Sequence, residues 1–225
     1  MPKIVDHQQR RQALADAIVN LVAQGGLSSA SVRNVATASG WSTGTVRHYF
    51  PTQADLKAFA ADAIAHRLRH SVTDRVPANP HQLTRRELST RLLETVLPFS
   101  EDQRTDYQLW IELMRFDTER PPEERSLIWS EQRWLCRNAV AIAAGIPRSS
   151  DNRQLFTELA DARQERWAGY LHIYIDGLAS HVMYMPHHVS IADAQKQLGD
   201  LISDMATSLG LVDVIDQKIE PESPS

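Results

Sequence analysis

The sequence contains one cysteine, Cys136, among 225 residues. A single cysteine excludes an internal disulfide and a cysteine-rich zinc site. The chain also lacks a Gly-rich phosphate loop followed by Lys-Ser/Thr, and it lacks a Gly-x-Ser-x-Gly nucleophile elbow. Sequence motifs for nucleotide hydrolysis or serine catalysis are therefore missing. We expect Cys136 to behave as a small buried hydrophobe within a helix.

Long hydrophobic runs are also missing. No stretch is long and apolar enough to span a bilayer, and the N-terminal segment MPKIVDHQQRR has no apolar signal-peptide core. We therefore expect a cytoplasmic protein that makes no membrane contact. The composition, 42% hydrophobic and 23% charged residues, is ordinary for a globular protein.

The nine histidines do not form a recognisable metal motif. His66 and His70 have the i, i+4 spacing that could share one metal, but no third ligand is identified. They lie in the Arg-rich stretch HRLRH, which is more typical of a solvated helix face. We expect neither a metal nor another cofactor.

The charges are divided unevenly along the chain. Residues 1–50 carry five Lys or Arg against two Asp, whereas the remainder has a net charge of −7. A weakly basic segment on an acidic body suits a protein that contacts phosphates with one end. Chance variation in solvated surfaces gives the same division, so charge alone does not decide.

The most informative segment is Ser31 to Leu56, in which a glycine turn separates two short helical patterns. Ser31 and Ser42 each precede an apolar set at helical spacing, so each hydroxyl can cap a helix start. Gly40 supplies the turn residue between them. This layout is typical of a helix-turn-helix, whose second helix enters the DNA major groove.

The second helix of the motif opens with Ser-Thr-Gly-Thr. Gly44 leaves the start of the helix without a side chain. Backbone amides and the hydroxyls of Thr43 and Thr45 can therefore approach phosphates and base edges at the positive end of the helix dipole.

The segment GLSSASVRNVATASGWSTGTVRHYFPTQADL, Gly26 to Leu56, resembles the tetracycline-repressor (TetR) family of bacterial transcription regulators. The family pattern is a glycine, a run ending in Ile-Ala, an Ala-Gly turn, Ser-x-Gly-x-Leu-Tyr, an aromatic pair and then Pro/Ser-Lys-x-x-Leu. Several of these positions agree with the segment at fixed spacing. Three positions depart from the family pattern. Arg47 stands where a DNA-contacting tyrosine is usual, Gln53 where a phosphate-contacting lysine is usual, and Trp41 where a small aliphatic residue is usual.

The resemblance implies which residues contact double-stranded operator DNA. Ser31 and Tyr49 match phosphate-contacting positions, although the apolar spacing also allows Tyr49 to be buried beside Phe50. Arg47 matches a DNA-facing position too, although a surface arginine paired with an acidic neighbour is the alternative. The full DNA-binding set is Ser31, Arg33, Thr43, Gly44, Thr45, Arg47, His48 and Tyr49.

Helical periodicity continues along the whole chain, and strand alternation does not recur. We expect an all-α protein with a three-helix DNA-binding domain over residues 1–51. A larger helical bundle for ligand binding and dimerisation should cover 52–209, beginning with a connecting helix over 52–75. Further helices are predicted at about 83–99, 102–117, 122–144, 152–184 and 190–209. Residues 210–225 should be a polar, frayed tail.

The last two long helices are the predicted dimer interface. Their apolar stripe recurs at spacings of three and four, and small residues would allow a partner helix to approach. Such a stripe also suits the chain's own core. A dimer is favoured because palindromic operators match a twofold axis, and in the TetR family the equivalent helices form the interface. The predicted residues are Ala168, Gly177, Leu198, Leu201, Ile202 and Met205.

The middle helices are rich in aromatic side chains, which can supply a ligand cavity with apolar walls and polar handles. A packed core explains the same composition. Since the family resemblance places an effector pocket among these helices, the predicted ligand-binding residues are Trp110, Met114, Trp129, Arg133, Trp167, Tyr170 and His172.

The sequence thus predicts a homodimeric transcriptional regulator. It should act as a repressor that a small-molecule effector releases from a palindromic operator. Activation instead of repression stays open, as does the identity of the effector. Two alternatives also remain. One is a small helical enzyme that uses the aromatic cavity as its active site, and the other is a DNA-binding regulator controlled by a protein partner.

Overall fold

A computed structural model describes residues 3–146 and 157–219. Within these ranges, extended pairing is confined to one isolated bridge between Thr84 and Lys218, so the predicted all-α class is confirmed. The helices are α1 (Lys3–Gly25), α2 (Val32–Ser39), α3 (Thr43–Tyr49), α4 (Gln53–Arg75), α5 (Arg85–Glu94), α6 (Glu101–Thr118), α7 (Ile128–Ala143), α8 (Ala162–Tyr184), α9 (Ile191–Leu209) and α10 (Val212–Ile215).

Several helices are shorter than the periodicity predicts. Helix α5 begins after the capping box of Thr84 and Glu87 and ends at Glu94, well before Pro98. Helix α7 begins at Ile128 because Pro122–Glu124 forms a separate 3-10 turn. Helix α8 begins at Ala162, where Asp161 caps it, and part of the predicted 152–184 helix lies outside the described residues.

The chain divides into two compact units. The first comprises residues 1–71 and 105–126, and the second comprises residues 72–104 and 127–225. The first unit therefore contains the predicted DNA-binding segment. Each unit also takes a share of α4 and of α6.

In the first unit, α1 packs against α2, and α2 packs against α3. The core is formed by aliphatic side chains that are almost fully buried, namely Leu14, Ile18, Val22, Val35, Val46, Leu56 and Ile64. Burial of these side chains removes apolar surface from water and is the main stabilising contribution to so small an assembly of helices.

A carboxylate from α6 fixes the turn between α1 and α2. Glu112 Oε2 accepts a hydrogen bond of 2.7 Å from the backbone amide of Leu27, which begins the 3-10 turn Leu27–Ser29. Gly26, just before it, has φ 70°, and a Cβ there would lie 2.9 Å from Glu112 Oε2. Both the positive φ and the close carboxylate therefore favour glycine at this position.

In the second unit, α5 packs against α7 and α9, α7 packs against α8, and α8 packs against α9. The fully buried side chains of this core include Leu92, Leu93, Cys136, Val140, Leu171, Ile175, Leu198 and Ile202. The prediction that Cys136 is a small buried hydrophobe is confirmed, and burial raises the pKa of its thiol.

The expected frayed tail is wrong for residues 210–219. Ile215 of α10 is fully buried, and Asp216 forms an ion pair with Arg86 at 2.7 Å. The Arg85 amide donates to the Gln217 carbonyl at 3.0 Å. This segment is polar in composition, but one buried isoleucine and its backbone pairing hold it against α5. Residues 220–225 lie outside the described part.

Glu112→Ala should destabilise the first unit by about 1–3 kcal/mol, because the Leu27 amide loses its acceptor. Glu112→Gln should restore much of that loss, since its amide oxygen can still accept. Denaturant unfolding and hydrogen exchange at the Leu27 amide measure the effect. Glu119→Ala, at an exposed glutamate one residue past α6, is the matched control. Equal midpoints and exchange rates for the two alanine variants would contradict the role of Glu112.

Candidate nucleic-acid interface and effector cluster

Three hydroxyl side chains cap the N-termini of α2, α3 and α4. Ser31 Oγ accepts from the Asn34 amide at 3.2 Å, and Ser42 Oγ accepts from the Thr45 amide at 3.0 Å. Thr52 Oγ1 accepts from the Asp55 amide at 3.1 Å at the start of α4. The caps predicted at Ser31 and Ser42 are confirmed.

The turn between α2 and α3 depends on Gly40, which ends α2 in the left-handed conformation with φ 72°. An L side chain rarely adopts this conformation. The glycine thus allows the chain to reverse within three residues, so that α3 can begin at Thr43.

Helix α3 has only one buried residue, Val46, which is 0% exposed. Its other six residues are exposed: Thr43, Gly44, Thr45, Arg47, His48 and Tyr49. All six belong to the predicted DNA-binding set. Of the other two members, Arg33 on α2 is exposed and Ser31 is half-buried. The structure thus presents seven of the eight residues to solvent.

Tyr49 lies at the surface and not in the core. Its side chain is 39% exposed, whereas the adjacent Phe50 is 7% exposed. The Trp41 ring packs against Tyr49 with centroids 5.3 Å apart. Trp41, one of the departures from the family pattern, therefore supports the exposed face of α3.

The structure also shows what surrounds Arg47 and Gln53, the two other departures from the family pattern. Arg47 is exposed and makes no ion pair with any residue that the structure describes. The Gln53 side chain donates to the Ala30 carbonyl at 2.7 Å, so it tethers the start of α4 to the segment before α2. Gln53 is thus a structural contact where the family pattern has a cation.

The predicted ligand-binding residues fall into separate groups. Trp110 and Met114 lie on α6 in the first unit, and the Trp110 indole stacks on Tyr107 with ring centroids 6.0 Å apart. Trp167 and Tyr170 form an edge-to-face pair on α8, with centroids 5.6 Å apart. The Trp167 indole donates to Ser208 of α9 at 3.1 Å, an anchor that favours a structural role.

Trp129 and His172 come together between α7 and α8, with ring centroids 4.9 Å apart. Beside them, Gln132 Nε2 donates to Asp176 Oδ1 at 2.8 Å, and Asp176 Oδ2 lies 3.9 Å from His172 Nε2. We call Trp129, Gln132, His172 and Asp176 the α7–α8 polar cluster. The sequence prediction missed Gln132 and Asp176. The i, i+4 spacing of His172 and Asp176 was a visible signal, but the register between α7 and α8 was not.

Arg133, the fifth predicted ligand residue of this unit, is already paired. Its guanidinium lies 2.7 Å from Glu165 Oε1, and Arg137 shares the same carboxylate at 2.9 Å. Burial alone would raise the pKa of Glu165, but hydrogen bonds from Arg137, the Leu159 amide and Arg133 lower it to about 2 overall. Arg133 is therefore held as part of an ionic network.

The cluster combines a neutral imidazole with unpaired acceptors. Burial, with a smaller contribution from the Arg133 charge, lowers the pKa of His172 to about 4, so the ring is neutral at pH 7. Burial raises the pKa of Asp176, opposed by the hydrogen bond from Gln132. Gln132 Oε1 and His172 Nε2 are buried and have no hydrogen-bond partner among the described residues. Each unpaired buried polar atom costs about 1–3 kcal/mol.

The predicted dimer residues are mostly buried in their own chain. Ala168, Leu198, Ile202 and Met205 are each 0% exposed, so a partner cannot reach them directly. Leu201 is half-buried and Gly177 is exposed. The apolar stripe of α9 thus packs inside the second unit, as the core alternative allowed.

A different face of α8 is exposed and apolar. We call Tyr170, Ile173, Gly177 and Tyr184, which recur at spacings of three, four and seven, the α8 stripe. Ile173 is 74% exposed, Tyr184 58% and Tyr170 52%. A Cβ added at Gly177 would meet no atom within 4 Å. The stripe thus places three large exposed side chains on one helix face.

The described residues offer neither a metal site nor a membrane-spanning helix. No three His, Cys, Asp or Glu side chains converge there in a way that could hold a metal ion. Each helix in the same ranges is too short or too polar to cross a lipid bilayer.

These features define a helix-turn-helix DNA-binding protein, and comparison with known proteins agrees. Residues 14–58 match the family model of bacterial regulatory proteins, tetR family. The chain is 30% identical over 194 residues to the HTH-type transcriptional regulator PksA of Bacillus subtilis (strain 168), covering 84% of this chain and 86% of PksA. The chain therefore belongs to the TetR family of transcriptional regulators, and it is a regulator and not an enzyme.

Solved structures share the fold across both units. A transcriptional regulator from Rhodococcus sp. Rha1 matches with a TM-score of 0.66 at 21% identity, covering 88% of this chain and 96% of that one. A regulator from Saccharomonospora viridis in complex with choline matches with a TM-score of 0.64 at 18% identity, covering 89% and 96%.

Arg47→Ala should weaken operator binding, because the exposed guanidinium can hold a phosphate or guanine O6 and N7. A phosphate contact predicts a uniform loss, with a log–log salt slope shallower by about one per bound subunit. A base contact predicts lost discrimination at one guanine.

Fluorescence anisotropy on a duplex selected from random DNA, at several salt concentrations, separates these two results. Arg91→Ala removes an exposed guanidinium from α5 and should change neither the affinity nor the slope. If Arg47→Ala matches Arg91→Ala, then Arg47 does not contact DNA.

Proposed function

We propose that the protein is a homodimeric regulator that binds a palindromic operator through α3 and leaves it when a small molecule binds the second unit. The observation that carries the proposal is the single buried residue of α3. Val46 anchors the helix, and every other side chain of α3 is available to DNA. A helix with this exposure can lie in a major groove without unfolding its own domain.

Within that surface, we assign Arg33, Thr43 and Thr45 to base edges and Ser31 and Tyr49 to phosphates, and the exposure of all but Ser31, which is half-buried, supports this assignment. Arg47 can hold either a phosphate or a guanine edge. Thr45 has a second task, because its hydroxyl lies 2.8 Å from Ser42 Oγ in the cap. Loss of the Thr45 hydroxyl would therefore affect both DNA contact and the start of α3.

The α8 stripe supports dimerisation through a second copy of the chain. Its exposed apolar side chains lie on the same helix face as Gly177, where open space would allow a second helix to approach closely. An isologous contact of this kind pairs a face with its own copy and creates the twofold axis that a palindromic operator requires. Half-buried Leu201 lies at the edge of the predicted α9 surface and remains a candidate for the same interface.

The α7–α8 polar cluster supports effector binding in the second unit. It joins a half-exposed indole to unpaired polar atoms, a combination that orients small ligands. Choline is bound in the related fold from Saccharomonospora viridis, which supports small-molecule binding by this architecture. A ligand can release DNA only if it prefers the conformation that binds operator poorly.

The function is tested by selecting duplexes from random DNA and then screening metabolites for release of the selected operator. A bound palindrome released by a small molecule is the expected result. A palindrome that no metabolite releases would instead favour control by a protein partner. Reporter expression with and without the gene distinguishes repression from activation.

Ile173→Glu should convert the dimer into monomers and weaken operator binding, because two half-sites on one rigid unit act at high effective concentration. Dimerisation would bury the charge of the introduced glutamate and would therefore be opposed. The fold of a single chain should tolerate the change, because Ile173 is 74% exposed. Light scattering and circular dichroism measure the two effects. Val212→Glu, at another exposed aliphatic residue, is the control. A folded Ile173→Glu dimer with native affinity would remove the α8 stripe from the interface.

A further inference from the structure

The unpaired atoms of the α7–α8 polar cluster are all hydrogen-bond acceptors or can act as acceptors. Gln132 must present its carbonyl oxygen, because its Nε2 donates to Asp176 Oδ1 at 2.8 Å. Gln132 Oε1 is left buried with no partner among the described residues. The Asp176 carboxylate therefore fixes the orientation of the Gln132 amide.

His172 adds a second acceptor. The side chain is 4% exposed, and Nε2 has no hydrogen-bond partner in the described part of the chain. Asp176 Oδ2 lies 3.9 Å from Nε2, beyond hydrogen-bond distance. In the neutral ring, the tautomer protonated at Nδ1 offers the Nε2 lone pair to an incoming donor.

The charges around the cluster leave Asp176 as its anion. The neighbouring guanidiniums of Arg133 and Arg137 both engage Glu165, at 2.7 Å and 2.9 Å. The side chain of Asp176 is 37% exposed, so the carboxylate can be reached from outside. Burial raises the pKa of Asp176, but the Gln132 hydrogen bond favours its charged form.

The fourth member supplies an aromatic face. Trp129 is 53% exposed and packs against the His172 ring with centroids 4.9 Å apart. An indole face attracts cations through its quadrupole and also accepts apolar groups.

From this arrangement we propose that the effector site selects a protonated amine attached to an apolar or aromatic body. The ammonium group donates to Asp176 Oδ2, Gln132 Oε1 and His172 Nε2, while the body lies against the Trp129 face. This inference rests on the proposed effector site of the second unit and names its ligand class. The three atoms that would meet the head group are all acceptors, and Glu165 already engages the guanidiniums of Arg133 and Arg137. An organic anion is therefore disfavoured.

The test compares three probes of matched shape, namely phenylpropylamine, phenylpropanol and phenylpropanoic acid, by calorimetry on the full-length protein. The wild type should bind the amine about ten to a hundred times more tightly than the alcohol, the range expected for hydrogen bonds to charged groups, and should bind the acid most weakly. Equal or tighter binding of the acid, or no binding of the amine, would overturn the proposal.

Variants assign the selectivity to the cluster. Asp176→Asn should abolish the preference for amine over alcohol, and Gln132→Met should reduce it, with folding checked by circular dichroism. Asp204→Asn removes an exposed carboxylate from α9 and should leave the preference unchanged. An amine preference that survives in folded Asp176→Asn would also overturn the proposal. If Asp176→Asn does not fold, the wild-type probe series and Gln132→Met still decide.

Operator release is measured separately, with the selected duplex and the same probes. Amine binding without release would leave the amine site intact and contradict ligand control of DNA binding. Release by compounds other than amines, with no amine binding, would support ligand control of DNA binding and contradict the amine site.

Discussion

A seven-residue helix is too short to be stable in water by itself, and this constraint governs the DNA-binding surface. Helix α3 exists because Val46 is buried in the first unit and because Ser42 caps its first turn. One buried side chain is the minimum that can anchor a helix to a core. The arrangement leaves the other six residues of α3 exposed. Because only Val46 is buried, α3 depends on its neighbours for stability and also presents most of its surface to DNA.

The supports of α3 extend outward in sequence. Gly40 allows the reversal before it, Trp41 packs on Tyr49, and Gln53 ties the following helix to Ala30. Glu112 adds a contact from more than eighty positions away by capping the Leu27 amide. Glu112 and Leu27 both belong to the first unit, so this hydrogen bond ties α6 to the turn before α2 within that unit.

The second unit buries polar atoms at a cost in stability. Most of the α7 and α8 interface is aliphatic, yet the α7–α8 polar cluster buries acceptors without donors. A chain selected only for stability would fill such a site with apolar side chains. The unpaired acceptors therefore lower the stability of this part of the core, in contrast to the aliphatic contacts around them.

The sequence by itself determined the helical class, the caps at Ser31 and Ser42, and the family. These features depend on neighbours within a few positions, where hydroxyl capping, glycine conformation and helical periodicity act. The tertiary structure alone decided which apolar faces are internal. Leu198, Ile202 and Met205 share the periodicity of an interface but pack inside their own chain, whereas Ile173 on α8 remains exposed. Likewise, only packing brought Gln132 beside Asp176 and Ile215 into the core. Periodicity identifies an apolar face, but the register and packing of distant helices determine what covers it.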